Sequence, residues 1–206
     1  MAQYFEIHPQ TPQVRLIHRT IDIIREHGVI VYPTDSSYAL ACQLDDKEAL
    51  DRIRLLRQLT DQHNFTLVCK DLSQVSNFSI LDNDSFRLIK SLTPGPYTFV
   101  VKATREVPRR LQHPKRKTVG IRIPDNAIAQ AILEEMGAPL FTTTLILPGA
   151  KESIADPQEI RERIEKEVDL IIDGGIIPYA PTTILVLTDK APEIVRQGKG
   201  VVAALE

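Results

Sequence analysis

The sequence predicts an α/β fold: one domain, built as a mixed β-sheet layered with helices. Segments of helical period and strand-like apolar segments alternate along the 206 residues. Several strands follow one another through short turns with no helix between, which calls for antiparallel pairs beside parallel ones. At 43% apolar, a chain of this length can bury one sizeable core.

Residues 1–13 read as a loosely attached lead-in, 14–200 as the domain and 201–206 as a C-terminal tail. Residues 12–27 place Val14, Ile17, Ile21 and Ile24 at helical spacing and stop at Gly28. VIVYPTD (29–35) is a buried strand. Residues 46–58 form a helix with Leu50, Ile53 and Leu56 on one face, acids early and bases late, as the helix dipole favours. A strand (65–69), a short helix (71–78) and a helix over 82–92 follow, with Asp82–Asp84 read as a cap rather than a metal site. TPGP (93–96) breaks that helix. Strands at 97–103 and 118–124 flank a basic stretch. Beyond them come a helix (125–136), the strand FTTTLILPG (141–149), an acidic helix (156–167), and strands at 169–175, 181–189 and 192–203.

Several chemistries lack their residues. No Gly-x-Gly-x-x-Gly follows a strand and no Walker-type loop occurs. The five histidines are scattered, so no dedicated metal site is expected. No Gly-x-Ser-x-Gly elbow is present. The apolar runs are far too short to cross a bilayer. The first residues lack a secretory pattern. Cys42 and Cys69 sit in apolar contexts and read as free buried thiols, which fits the cytoplasm.

The net charge of −2 hides a local asymmetry. PRRLQHPKRK (108–117) carries Arg109, Arg110, Lys115, Arg116 and Lys117 without an acid. It reads as either a solvated loop or, with Lys102 and Lys199, a nucleic-acid-binding patch. Polar residues also gather at strand ends, where open α/β sheets collect ligands. These are Thr34 and Asp35, Thr182, and Arg196 before a GKG turn. Arg122 lies inside TVGIRIP on the face shared with Thr118 and Gly120. A buried guanidinium there needs a partner, and both a structural ion pair and a ligand clamp satisfy that need.

In order, these pieces resemble the YrdC/YciO family, which includes threonylcarbamoyl-AMP synthases, and within it the YciO branch. The motifs are YPTDSSYAL (32–40), TPGPYTFVV (93–101), VGIRIP (119–124), FTTTLILPG (141–149), DGG (173–175), APTTIL (180–185) and VRQGKG (195–200). The resemblance covers about residues 14–200. It implies a three-layer architecture with a twisted sheet around a concave, positively charged cavity. It further implies adenylyl transfer from ATP, as substrate with Mg2+, to a carbamate made from threonine and bicarbonate, feeding the t6A modification of tRNA. Positioning and charge neutralisation carry such a reaction. Double-stranded RNA or tRNA is an implied partner, and a non-catalytic RNA-binding module is the alternative function.

Residue by residue, the resemblance assigns reacting-end roles to Arg57, Arg122 and Thr144, with Arg122 clamping a substrate carboxylate. It assigns substrate or nucleotide contacts to Thr34, Asn64, Thr118, Thr142, Ser153, Thr182 and Arg196. Two positions depart. Leu59 stands where the synthases carry arginine, and Ile146 where they carry asparagine. At about 1.5–3 kcal/mol for each charged hydrogen bond, the two losses amount to about 10²–10⁴ in rate. Weak or altered adenylyl transfer is therefore expected, with an apolar wall that points to a changed substrate.

Overall fold

The computed structural model describes residues 1–60, 65–189 and 191–203. One mixed sheet runs through it. Its strands are β1 (Gln3–Glu6), β2 (Ile30–Pro33), β3 (Tyr38–Gln43), β4 (Thr66–Val68), β5 (Ser79–Ile80), β6 (Tyr97–Ala103), β7 (Thr118–Arg122), β8 (Leu140–Thr144), β9 (Leu170–Asp173), β10 (Thr183–Val186) and β11 (Glu193–Arg196). The helices are α1 (Val14–Arg25), α2 (Lys47–Arg57), α3 (Leu72–Phe78), α4 (Asn83–Leu92), α5 (Ala127–Met136) and α6 (Pro157–Ile164). The strands lie in the order β1-β9-β2-β3-β8-β4-β7-β6-β10-β11, with β5 on β6. Parallel pairs (β1 with β9, β2 with β9, β4 with β7, β6 with β10) alternate with antiparallel ones such as β2 with β3 and β6 with β7.

Strand alternation sends successive residues to opposite faces and creates two cores. Val29, Val31, Leu40, Leu67, Phe99, Val101, Val119, Ile121, Phe141 and Leu185 pack with α2, α3, α4 and α6. Ile30, Tyr32, Ala39, Ala41, Val68, Leu140, Leu170 and Ile172 pack under α1 and α5. This second core takes no residue from β6, β7, β10 or β11. The second helical layer therefore covers only half of its face, and the uncovered half is where the polar strand residues emerge.

Local chemistry explains the helix ends. Asp46, Asp71, Asp82, Asn126 and Asp156 each cap a following helix with a side-chain oxygen, so the Asp82–Asp84 stretch is indeed a cap. Cys42 and Cys69 are buried and free. Burial pushes both thiols well above their ordinary range.

Four expectations need correction. The first residues are not a loose lead-in: β1 pairs in register with β9, the Ala2 amide donates to the Glu165 carbonyl at 2.8 Å, and Ile7 is buried. The strand expected at 29–35 stops at Pro33, because Thr34–Ser37 closes a turn and returns the chain as β3. The sequence reading missed β3, since a strand buried on both faces shows no polar alternation. The two-residue β5 was missed as well. Finally, the strand expected at 192–203 ends at Arg196. Beyond it the chain follows its own side-chain contacts, and Val202, in the expected tail, is part of the core.

Candidate functional site

The uncovered half-face forms a groove. Its deeper part is a cavity of about 400 Å³ lined by Arg57, Arg122 and Arg196, by the hydroxyl residues Ser36, Ser37, Thr66, Thr98, Thr142, Thr143, Thr144 and Thr182, and by Ala39, Ile146, Tyr179, Pro181 and Ile184. It continues, through Thr66, Thr98 and Ile184, into a slot of about 300 Å³. The slot adds Thr118, Gly120, Val100, Val186, Val195 and Thr188, with Arg116 at its rim. Among the described residues, no Asp, Glu, His, Lys or Cys lines either part. From Thr118 to Arg122, at about 3.3 Å per residue, the floor spans about 13 Å.

Each wall comes from one element. On β7, Val119 and Ile121 enter the core, which turns Thr118, Gly120 and Arg122 to the groove. On β6, Phe99 and Val101 do the same for Thr98, Val100 and Lys102. Gly120 is required by proximity: a Cβ there would sit 2.7 Å from Thr66 Oγ1 and 3.2 Å from the Phe65 carbonyl. On β8, Thr142 shares a hydrogen bond of 2.7 Å with the Tyr32 hydroxyl and donates to the Leu40 carbonyl at 3.1 Å. Burial raises Tyr32 to about 12. Thr144 reaches the cavity with no hydroxyl partner among the described residues. Thr182 is fixed by Thr98 (2.8 Å between hydroxyls) and by Arg196, whose Nη2 donates to its carbonyl at 2.8 Å and to its hydroxyl at 3.0 Å.

The arginines differ in their partners. Arg57, at the end of α2, donates from Nη1 to the Ile146 carbonyl, and its Nε is buried without a partner among the described residues. Desolvation lowers its pKa below the usual guanidinium value. Arg122 pairs with Asp35 and donates to Ser36 Oγ at 3.0 Å. The open choice at Arg122 thus resolves to a buried ion pair that also faces the cavity.

Of the residues assigned from the resemblance, Arg57, Arg122, Thr142, Thr144, Thr182 and Arg196 meet in the cavity, and Thr118 lies in the slot. Three assignments change or fall outside. Thr34 does not line the cavity. Its hydroxyl donates to the Ser37 carbonyl at 2.7 Å and accepts the Ser36 and Ser37 amides at 3.2 Å, so it builds the turn that presents those two serines. Ser153 is buried, its hydroxyl donating to the Tyr38 and Ile154 carbonyls at 3.3 and 3.4 Å, and it is not among the residues lining the cavity. Asn64 lies outside the described residues. The polar lining residues missed are Ser36, Ser37, Thr66, Thr98, Thr143, Tyr179 and Thr188. Strand alternation would have found Thr66 and Thr98, opposite Leu67 and Phe99, whereas Tyr179 sits in an irregular segment with no such signal.

The basic residues have different surroundings. Arg116 reaches the slot, and Lys102 lies on the groove face of β6. Arg110 turns to the Leu44 carbonyl at 3.2 Å. Arg109, Lys115 and Lys117 are exposed around a short 3-10 turn and its following loop. Lys199 belongs elsewhere: its Nζ donates to the Asp35 carbonyl at 2.6 Å. No group of three or more His, Cys, Asp or Glu side chains among the described residues could hold a metal ion, and no described helix is long and apolar enough to cross a membrane.

Known proteins bear the same construction. A family profile for the Sua5/YciO/YrdC domain, described as "Telomere recombination", matches residues 22–198. The chain is 56% identical over 200 residues to YciO of Escherichia coli K12, covering 97% of each chain. A threonylcarbamoyl-AMP synthase of Vibrio vulnificus is 24% identical over 163 residues, covering 78% of this chain and 87% of that one. The crystal structure of E. coli YciO superposes with a TM-score of 0.95 over 98% of both chains. P. abyssi Sua5 complexed with L-threonine has the same fold, with a TM-score of 0.87 at 23% identity over 96% of this chain and 58% of that one. With most of its length matched by the family profile and its high-identity relatives among the YciO proteins, the chain belongs to the Sua5/YciO/YrdC family.

Proposed function

We propose that the groove binds a nucleotide and that the protein is an adenylyl-transfer enzyme with altered substrate specificity, related to the synthases that prepare tRNA for t6A modification. One observation carries this reading: a cavity whose described lining is rich in arginine and hydroxyl groups and free of acids shares its wall with a slot lined by valine and isoleucine. Phosphates suit the first part and a nucleoside the second. Arg57 and Arg196 are the phosphate-binding cations, and Thr144 offers the hydroxyl nearest in sequence to the altered wall at Ile146.

The lining also constrains the mechanism. Among the described residues it holds no carboxylate, imidazole, amine or thiol to act as general base near neutral pH. A nucleophile that arrives already charged or strongly nucleophilic, as a carbamate does, suits such a lining, and the protein's share is then positioning and charge neutralisation. In this reading Mg2+ enters on the ATP phosphates. A cytoplasmic, ATP-using enzyme is the corresponding cellular picture.

Calorimetric titration with AMP and ATP tests the reading. Binding is expected in the wild type. Arg57→Ala or Arg196→Ala should each weaken it by about tenfold to a hundredfold, the size of one charged hydrogen bond. No nucleotide binding at millimolar concentration would sink the proposal. A second reading, RNA binding along the same groove, is favoured by Arg116 and Lys102 at the far end of the floor.

A further inference from the structure

The number of cations in the cavity limits how much phosphate it can hold. Among its described lining residues the positive side chains are Arg57, Arg122 and Arg196. Arg122 and Asp35 together add no net charge, which leaves two guanidinium groups, Arg57 and Arg196, without a carboxylate partner among the described residues. Both are partly committed to the protein. Arg196 donates from Nε and Nη2 to the Thr182 carbonyl at 2.9 and 2.8 Å, and from Nη2 to the Thr182 hydroxyl at 3.0 Å, so Nη1 remains for a ligand. Arg57 donates from Nη1 to the Ile146 carbonyl and keeps Nη2 and the buried Nε.

No further cation follows Arg57 along the chain. Gln58 closes α2 in the left-handed region at a φ of 52°, and the Leu59 amide donates to the Arg54 carbonyl at 2.9 Å. The Leu59 side chain then packs against the larger core. Residues 60–64 contain neither arginine nor lysine. On its other side Arg57 meets Ile146, and Tyr179 and Pro181 line the same cavity. Both positions at which the chain departs from the synthases, Leu59 and Ile146, are thus neighbours of Arg57, in sequence or in space, and neither brings a charge or an amide.

A phosphate monoester carries a charge of about −1.5 to −2 near neutral pH, which two guanidinium groups neutralise. A triphosphate adds phosphoryl groups that would meet an isoleucine where an amide is needed and no arginine beyond Arg57, at a desolvation cost left uncompensated. The hydroxyls of Ser37, Thr143 and Thr144 suit an uncharged polar group beside the phosphate, such as the carbonyl of an acyl or carbamoyl group.

We infer that the groove selects an adenylate over a nucleoside triphosphate: AMP, or the mixed anhydride of AMP with a carboxylic or carbamic acid. Arg57 and Arg196 hold its single phosphoryl group, and Leu59 and Ile146 are the specificity-determining residues that withhold a site for two more. The inference rests on the nucleotide reading above, and it makes the adenylate, rather than ATP, the tightly held side of adenylyl transfer.

Calorimetric titration of the wild type, Ile146→Asn and Ile146→Asn/Leu59→Arg with AMP and, separately, ATP, with Mg2+ present throughout, decides it. The wild type should bind AMP more tightly than ATP, by about tenfold, the size of one missing charged hydrogen bond. The variants should move the ratio toward ATP by a similar factor. ATP binding as tightly as AMP, or more tightly, in the wild type overturns the inference and leaves the nucleotide reading standing. A ratio that neither folded variant moves toward ATP overturns it as well. Should the double variant fail to fold, Ile146→Asn alone is read. Binding of neither nucleotide to the wild type would instead sink the nucleotide reading, and the inference with it.

Discussion

Ile146 and Leu59, the two positions where the related synthases carry polar residues, have different fates. Ile146 lines the cavity and lends its carbonyl to Arg57, whereas Leu59 packs, partly buried, against the larger core. A substitution at Ile146 therefore acts on the cavity directly, and one at Leu59 acts from beside it. Ile146→Asn, alone or with Leu59→Arg, is expected to raise threonylcarbamoyl-AMP formation, by about tenfold for one recovered hydrogen bond. Pyrophosphate release with ATP, threonine and bicarbonate measures it, and no gain would mean that these two positions do not limit the reaction. Tyr32 supplies a second residue-scale test. Its hydroxyl holds Thr142, and burial raises it from 10.0 to about 12. The folded state then keeps a proton that the unfolded state loses, so this contribution is complete below pH 10 and is lost as pH rises through 12. Over that window it amounts to on the order of 2 kcal/mol. Urea midpoints between pH 9 and 12 should fall, and less steeply in Tyr32→Phe.

Among the elements, the segment after β11 is the one that couples fold to site. Arg196 grips Thr182, the Gly198 amide donates to Thr183 Oγ1 at 3.0 Å, and the Lys199 amide donates to the Pro181 carbonyl at 2.8 Å. This close approach needs glycine, because a Cβ at Gly198 would lie 2.2 Å from the Pro181 carbonyl oxygen and 2.5 Å from Thr182 backbone. Gly198→Ala should cost about 1–3 kcal/mol of stability and weaken AMP binding through the displaced Arg196. Thermal melting and calorimetry on the same sample read the two effects, and a variant of unchanged stability would contradict the packing. The sequence legibly marked the helices, since each has periodic apolar residues and most have an Asp or Asn cap. It was poorer for β3 and β11. β3 is buried on both faces between neighbouring β2 and distant β8, and β11 is a four-residue edge strand on β10.

For the whole molecule, the decisive feature is a sheet covered by helices on one full face and half of the other. The bare half carries Arg57, Arg122 and Arg196 at one end of its floor and Lys102 and Arg116 at the other, so a polyanion lying along it would neutralise both. If RNA binds there, its affinity should fall steeply between 50 and 200 mM salt, by about tenfold or more for two or three neutralised phosphates. Arg116→Ala should flatten the slope by about one unit. A salt-independent affinity, or one untouched by Arg116→Ala, would remove the groove from consideration as an RNA surface. The sequence by itself determined the mixed α/β class, the buried thiols, the cap at Asp82 and the polar face of β7. Periodicity and capping are local, and each is written in a few neighbouring residues. Only the tertiary structure decided that Thr34 builds the turn beside the cavity rather than lining it, that Lys199 reaches the Asp35 carbonyl, and that Arg122 is already paired. Those outcomes depend on which distant side chains a buried charge or hydroxyl meets, and spacing along the chain does not encode that.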